Sequence, residues 1–163
     1  MLLAAGLTAA SSLDFRTRRI PNALTAAMAA TGLALSIGHV NGISPAASIL
    51  GIVVGALLML PGHVLGKTGA GDVKLMGAVG AFIGPALVVT AFLATAIAGG
   101  VLALLVAARR GRIATTLMHT GKLVTDGGRA RPVIEGTGSA NRFAYGPAIA
   151  IGTLLVVFAQ FRG

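Results

Sequence analysis

The sequence has no cysteine and no tryptophan, and its 163 residues include a single tyrosine. Without cysteine, the chain can form neither disulfides nor thiolate metal sites. Its three histidines, His39, His63 and His119, are scattered and do not make a metal site, and His39 and His63 are better explained as packing or interface residues than as catalysts. The sequence therefore predicts a protein that uses no metal and no cofactor.

Charged residues are also scarce, at 10% of the chain, whereas 55% of the residues are hydrophobic and the mean hydropathy is +0.89. A soluble domain of this length carries about 25% charged residues. The deficit excludes an ordinary soluble domain and indicates a polytopic membrane protein. The length suits a single domain that covers residues 1–163. We therefore predict an all-α fold of membrane-spanning helices.

Long stretches without any charged residue mark the predicted spans. These stretches are residues 1–13, 21–66, 75–108 and 143–161. The second and third are too long for one span of about 20 residues. Turn-forming residues predict a break at 39–42, with Pro45 in the next first turn, and another break at Gly84–Pro85. The sequence therefore predicts six transmembrane helices.

The first apolar stretch could instead be a secretory signal peptide, which requires a basic segment before its apolar core. The first basic residue is Arg16, after the apolar run, so a signal peptide is disfavoured. Thirteen helical residues rise only about 20 Å, less than the roughly 30 Å of a bilayer core. We therefore expect the first helix to continue through Asp14 to Arg18, with its arginines reaching the membrane surface.

The basic residues predict the orientation of the chain in the membrane. Twelve of the 13 lie in the connections that follow predicted spans 1, 3 and 5, and only Arg162 lies on the other side. The positive-inside rule then places the N-terminus outside and these connections in the cytoplasm. The net charge of +9 requires no nucleic-acid partner, because topology and attraction to anionic membrane lipid account for it. The longest connection, 109–142, is predicted to contain an amphipathic helix with Ile113, Leu117 and Val124 on its apolar face.

Only four acidic residues are present, and two of them lie at the edges of predicted spans. Asp126 and Glu135 belong to the polar 109–142 connection and are expected to be solvated. Asp14 ends span 1 and Asp72 begins span 4, both on the predicted cytoplasmic side. A carboxylate at the edge of a bilayer span is costly, which makes it a functional candidate by default. We expect Asp14 and Asp72 to face each other from neighbouring helices.

Two carboxylates in one site suggest the chemistry of an aspartic protease. They cannot both ionise cheaply, so that one proton is shared between them. The ionised carboxylate can take a proton from water, and the protonated one can donate a hydrogen bond to the scissile carbonyl. Gly69 and Gly71 suit a loop next to Asp72, because glycine tolerates a positive φ and lets the backbone approach a substrate closely.

The residues around the two aspartates form two motifs. The first is Asp-x-Arg-x-x-x-Ile-Pro-Asn, with its defined positions at Asp14, Arg16, Ile20, Pro21 and Asn22. The second is Gly-x-Gly-Asp followed by Val-Lys-Leu, with its defined positions at Gly69, Gly71, Asp72, Val73, Lys74 and Leu75. Together with Tyr145-Gly146-Pro147-Ala148 before the last span, they resemble the type IV prepilin peptidases, which are membrane aspartic proteases. Presenilin-like proteases share Gly-x-Gly-Asp but pair it with Tyr-Asp, whereas Leu13 precedes Asp14 here.

The resemblance implies that Asp14 and Asp72 are catalytic and that the other motif residues support them. It also implies a multi-pass protein of the bacterial inner membrane that removes a short basic leader from a prepilin-like substrate at the cytoplasmic face. Large members carry a cytoplasmic insert with paired Cys-x-x-Cys and also methylate the new N-terminus. This chain has no cysteine and no insert after span 1, so it resembles the short forms that process tight-adherence (Tad, Flp-type) pilins and is not expected to be a methyltransferase.

Other interpretations remain open at the level of sequence. A proton- or cation-coupled transporter would place acids near the membrane midplane within an internal repeat, and neither feature is evident. A non-catalytic pilus assembly factor on the same scaffold is compatible with the composition. Lys74 could anchor the topology or tune Asp72. Gly66-Lys67-Thr68 is similar to the end of a P-loop, but Pro61 occupies the position of the required first glycine. The oligomeric state is not readable from the sequence.

Overall fold

A computed structural model of the chain describes residues 1–17, 19–65, 68–109, 145–160 and 162. These residues form helices joined by turns, and no strand occurs among them, which confirms the predicted all-α class. The helices are α1 (Leu2–Thr17), α2 (Asn22–Ile37), α3 (Pro45–Val64), α4 (Ala70–Arg109) and α5 (Gly146–Gln160). The predicted amphipathic helix lies outside the described residues, apart from Arg109.

The predicted break between the second and third helices is confirmed. Residues 38–44 separate α2 from α3, and the turn contains two residues with positive φ, His39 (55°) and Gly42 (73°). The Ser44 side chain then accepts a hydrogen bond from the Ala47 N–H at 3.1 Å and caps α3. Pro45 follows in the first turn, where its missing N–H costs nothing.

The predicted break at Gly84–Pro85 is also confirmed, and it lies inside α4. Gly84 has φ 78° and ψ 177°, a backbone conformation that L side chains rarely adopt. Before the break, residues 70–83 run antiparallel to α3 and bring Gly80 beside Gly51, near the start of α3. After the break, residues 92–96 lie beside the end of α3. The chain therefore reverses direction at Gly84, and the described residues contain six helical segments.

A side chain from α3 compensates for the hydrogen bond that this reversal removes. Pro85 has no N–H, so it cannot donate to the carbonyl of Ala81 four residues earlier. The hydroxyl of Ser48, which is fully buried, donates to that carbonyl at 2.8 Å. The Asn41 amide donates to the next carbonyl, that of Phe82, at 3.3 Å. Backbone groups freed at a helix break inside an apolar environment need such partners.

Glycines allow α3 and residues 70–83 to pack backbone against backbone. A Cβ atom on Gly51 would collide with the carbonyl of Gly80, and a Cβ atom on Gly55 would collide with the carbonyl of Met76. Small residues at such positions let helices approach closely, which is how helices associate inside membranes. The spacing Gly51-x-x-x-Gly55 therefore serves helix packing.

Two helices are long and apolar enough to cross a membrane by length and composition. They are Pro45–Val64, with a mean hydropathy of 2.0, and Ala70–Leu105, with a mean hydropathy of 2.3, and only 22% of an apolar 18-residue window in each is buried within the chain. The second of them is broken at Gly84. Helices α2 and α5 are apolar but shorter. The six spans and the outside N-terminus remain predictions.

The helix termini next to both motifs meet at one end of the bundle. There α1 and α3 end, and α2, α4 and α5 begin. Helix α1 packs mainly against α5, which in turn packs against α4, and among the described residues α1 and α4 share at most a marginal contact. The expectation that α1 and α4 are direct neighbours was therefore wrong, because α5 lies against both.

Candidate active site

Asp14 lies in the last turn of α1, where its side chain is only 6% exposed. Its Oδ2 atom accepts a hydrogen bond of 2.9 Å from the backbone N–H of Gly146, the first residue of α5. The first N–H groups of a helix have no partner within the helix and carry partial positive charge, so they favour a carboxylate. The sequence places an acid at the end of one helix, and the fold supplies the start of another to hold it.

Gly146 leaves no room for a side chain beside Asp14. A Cβ atom there would lie 2.8 Å from Oδ2 and 3.1 Å from Cβ of Asp14. Sequence reasoning noted Gly146 only as part of a motif and missed this contact. The available signal was Gly146-Pro147 at the start of an apolar helix, because proline is favoured in the first turn and the glycine before it keeps an unpaired N–H.

Asp72 is the third residue of α4 and is also 6% exposed. Its Oδ2 atom accepts a hydrogen bond of 2.9 Å from the N–H of Gly69, while the Gly69 carbonyl accepts one of 3.0 Å from the Asp72 N–H. This reciprocal pairing is half of a capping box, in which an acid at the third helical position closes the helix start. The Asp72 carboxylate is therefore also held at a helix N-terminus.

Gly69 and Gly71 of the second motif were expected to provide positive φ values in a loop, and the structure gives them a different role. Among the described residues, positive φ values at glycine occur only at Gly42 and Gly84, so neither Gly69 nor Gly71 needs this freedom, and Gly71 lies inside α4 rather than in a loop. Both positions instead require a glycine because neighbouring side chains lie close to the backbone there. A Cβ atom on Gly69 would lie 3.3 Å from Oδ2 of Asp72, and one on Gly71 would lie 3.1 Å from Cβ of Ile20.

The two motifs contact each other where α2 and α4 begin. Ile20 of the first motif is buried against Gly71 of the second. The Lys74 ammonium donates a hydrogen bond of 2.8 Å to Oδ1 of Asn22. The sequence offered two roles for Lys74, anchoring the topology or tuning Asp72, and the structure adds a third, which is to join the starts of α2 and α4.

The remaining residues of the first motif lie at the ends of α1 and α2. Pro21 precedes α2 with φ −61° and ψ 135°, and its carbonyl accepts hydrogen bonds from the N–H groups of Leu24 (3.1 Å) and Thr25 (3.3 Å). Arg16 is exposed in the last turn of α1. Pro21 thus starts α2 in the geometry that proline favours, and Arg16 lies outside the buried part of the site.

His63 fixes the turn that leads into the second motif. Its Nδ1 atom lies 3.1 Å from the carbonyl oxygen of Thr68, and the Thr68 N–H donates to the carbonyl of Gly62 at 3.1 Å. These contacts hold the start of α4 against the end of α3. They agree with the expectation that His63 has a packing role.

The arrangement places two buried carboxylates at the same end of the bundle, each with one oxygen on a backbone N–H. A carboxylate held in this way is fixed in orientation at a helix start, where the partial positive charge of the N–H groups stabilises it. That the two carboxyls share one proton across a single water molecule remains a prediction.

Comparison with known proteins agrees with the motifs. The model of the type IV leader peptidase family matches residues 1–104, a range that includes both Asp14 and Asp72. Searches of the curated proteins and of the solved structures find no significant match. The family consists of proteases of the aspartic type, and the apolar helices agree with membrane association. Because the match covers well over half of the chain, the protein belongs to the type IV leader peptidase family.

Proposed function

We propose that this protein is an aspartic endopeptidase of the bacterial inner membrane, with Asp14 and Asp72 as its catalytic pair. It removes the short basic leader of a prepilin-like substrate at the cytoplasmic face. The observation that supports this proposal is that the two acids have similar surroundings. Each is buried, lies at the same end of the bundle and is held by a backbone N–H at a helix start.

The proposed reaction uses the two carboxyl groups as a general acid and a general base. The ionised carboxylate takes a proton from a water molecule while the water oxygen adds to the scissile carbonyl carbon. The protonated carboxyl gives its proton to the carbonyl oxygen, which produces a neutral tetrahedral diol. The C–N bond then breaks as a carboxyl returns a proton to the leaving nitrogen. Neither a covalent enzyme intermediate nor a redox step is needed.

The charge distribution supports a basic leader as the substrate. The two acids of the site are half of all the acidic residues in the chain and the only ones in the part that the structure describes, so they are the groups there that can pair with a positively charged leader. A positively charged leader next to an apolar segment matches an acidic site at the end of an apolar helix bundle. Release of the leader would leave the apolar segment of the substrate in the membrane.

A transporter is less well supported, because of where the acids lie along the helices. Asp14 is in the last turn of α1 and Asp72 in the first turn of α4, so both are near helix ends. An ion pathway would place acids near the midplane, between helices. The family match also favours proteolysis over transport and over a non-catalytic assembly role.

The direct test is cleavage by the purified protein. The full chain in detergent or in vesicles of phosphatidylethanolamine and phosphatidylglycerol is mixed with a tight-adherence-type pilin precursor, and the products are identified by mass spectrometry. We expect one cut that separates the basic leader from the apolar segment. An intact precursor after prolonged incubation with folded protein would contradict the proposal.

The orientation can be tested by cysteine accessibility, because the chain has no cysteine of its own. Val40 is 72% exposed in the turn between α2 and α3, on the side opposite the candidate site. We expect Val40→Cys to react with a membrane-impermeant maleimide in intact spheroplasts. Thr116→Cys, in the 109–142 connection, should react only after the membrane is permeabilised, because the positive-inside rule places it in the cytoplasm. The reverse labelling pattern would overturn the orientation and move the proposed site to the other face.

A further inference from the structure

A cavity of about 400 Å³ opens between the end of α3, Thr68 just before α4, residues 92–96 in the later part of α4, and Tyr145. Leu58, Met59 and Phe92 contribute apolar walls, and Thr68 and Tyr145 also line it. Ligand sites in proteins are typically clefts of roughly 300–1,000 Å³ with apolar walls and a few polar groups. The cavity has both properties.

Its position connects it to both acids of the proposed site. Thr68 directly precedes Gly69, whose N–H binds Asp72. Tyr145 directly precedes Gly146, whose N–H binds Asp14. The segments that hold the two carboxylates thus each contribute a wall residue to the same cavity. Neither carboxylate lines the cavity itself, so a group bound there lies between the segments that hold the two acids.

The polar groups of Thr68 indicate what kind of molecule the cavity accepts. Its backbone N–H and carbonyl are both paired, with Gly62 and His63 respectively. Its hydroxyl is buried, in a residue that is only 8% exposed, and has no hydrogen-bond partner among the described residues. Buried side-chain hydroxyls in folded proteins are nearly always paired. An unpaired one at the wall of a cavity points to a ligand with a hydrogen-bonding group.

We propose that this cavity receives the apolar side chain of the substrate residue that follows the scissile bond, and that the Thr68 hydroxyl binds the adjacent substrate backbone. A lipid acyl chain would also fill an apolar space but has no group to pair with the hydroxyl, whereas a peptide has both. The inference rests on the proposed function. It adds the residues that select the substrate.

The first test compares precursors that differ only at the residue after the cut. With the wild-type protein in the vesicles described above, we expect kcat/KM to be about tenfold or more higher for Phe than for Ala, since filling an apolar pocket discriminates to this extent. Ala96 lines the cavity, so Ala96→Leu should remove most of that preference by slowing the Phe precursor selectively. Ala86→Leu is the matched control, because Ala86 is an exposed alanine of the same helix and does not line this cavity. It should keep the wild-type ratio.

The second test addresses the hydroxyl. Thr68→Val keeps the shape of the side chain and should lower kcat/KM by up to about tenfold for every precursor, as expected for one lost hydrogen bond. Thr68→Ser restores a hydroxyl and should recover most of the activity. A role in folding alone would instead change the amount of folded protein while leaving the Thr68→Val rate per folded molecule unchanged, and that result would overturn the assignment.

The outcomes separate this inference from the proposed function. If the wild-type protein cleaves precursors but Ala96→Leu keeps the Phe preference, the cavity is not the subsite. If a phospholipid with a photoreactive acyl chain labels Met59 or Phe92 equally with and without precursor, the cavity belongs to lipid and the inference is overturned. If no precursor is cleaved by the folded wild-type protein, the proposed function fails, and the inference fails with it.

Discussion

Asp14→Asn and Asp72→Asn are each expected to abolish leader cleavage while the protein remains folded and inserted. An amide cannot take a proton from water or share one with the opposite carboxyl, so the loss should be at least about 10²–10⁴-fold, the usual contribution of general acid–base catalysis. The fold should survive because the Oδ1 of asparagine can still accept the N–H of Gly146 or Gly69. The measurement is the initial rate of cleavage per molecule of folded protein, with folding followed by circular dichroism.

The chain supplies its own matched controls for these variants. Asp126→Asn and Glu135→Gln remove the same charge from the only other acidic residues, both in the 109–142 connection. They should cleave at close to the wild-type rate. Substantial cleavage by Asp14→Asn or Asp72→Asn would falsify the catalytic pair and leave the two acids as helix-start residues. A structural role for Asp72 alone would instead appear as a lower melting temperature in Asp72→Ala with activity retained in Asp72→Asn.

The second large effect is expected at the contact between α3 and residues 70–83. Gly80→Ala adds a Cβ that collides with the carbonyl of Gly51. Because this carbonyl belongs to the backbone of α3, it can move away only if the two helices separate. We expect a loss of about 1–3 kcal/mol for alanine, the usual cost of overpacking, and little or no folded protein for Gly80→Leu. The melting temperature in detergent, followed by circular dichroism because the chain has no tryptophan, measures the change.

Gly100 provides the control for this experiment. It belongs to the same helix, but apart from the adjacent backbone of that helix a Cβ there would have no atom within 4 Å. Gly100→Ala should leave the melting temperature unchanged or raise it slightly, because alanine is the better helix former by about 0.5–1 kcal/mol. Equal melting temperatures for Gly80→Ala and the wild type would show that α3 and residues 70–83 do not depend on close glycine contact.

The breaks between helices could be predicted from sequence because local chemistry sets them. The 39–42 turn and Gly84–Pro85 contain residues that disfavour a continuous helix in any context. The start of α4 at Ala70 could not be found by counting charge-free residues, since Asp72 and Lys74 lie inside the helix. Asp72 is tolerated there because its carboxylate closes the helix start through the Gly69 N–H.

The sequence predicts the two acids of the candidate site but not the residues that hold them in place. A sequence shows that Asp14 and Asp72 are unusual, because acids are rare in such a composition. It does not show that the Gly146 amide holds Asp14, since 132 residues separate the two partners. The bond between Lys74 and Asn22 similarly joins residues 52 apart. Such contacts arise only when the helices are assembled, so the sequence marks some of the partners but does not show how they pair.

The position of α5 gives the molecule a mechanical property beyond its role as a support. Asp14 is attached to the start of α5, whereas Asp72 belongs to the segment that is tied to α2 and α3. The two acids therefore belong to different parts of the bundle. The seam that joins these parts runs along residues 85–109, where Thr95 touches Gly152 and Gly99 touches Tyr145. A displacement along this seam would change the distance between the two carboxyls, so the packing of residues without reactive groups sets the geometry of the proposed reaction.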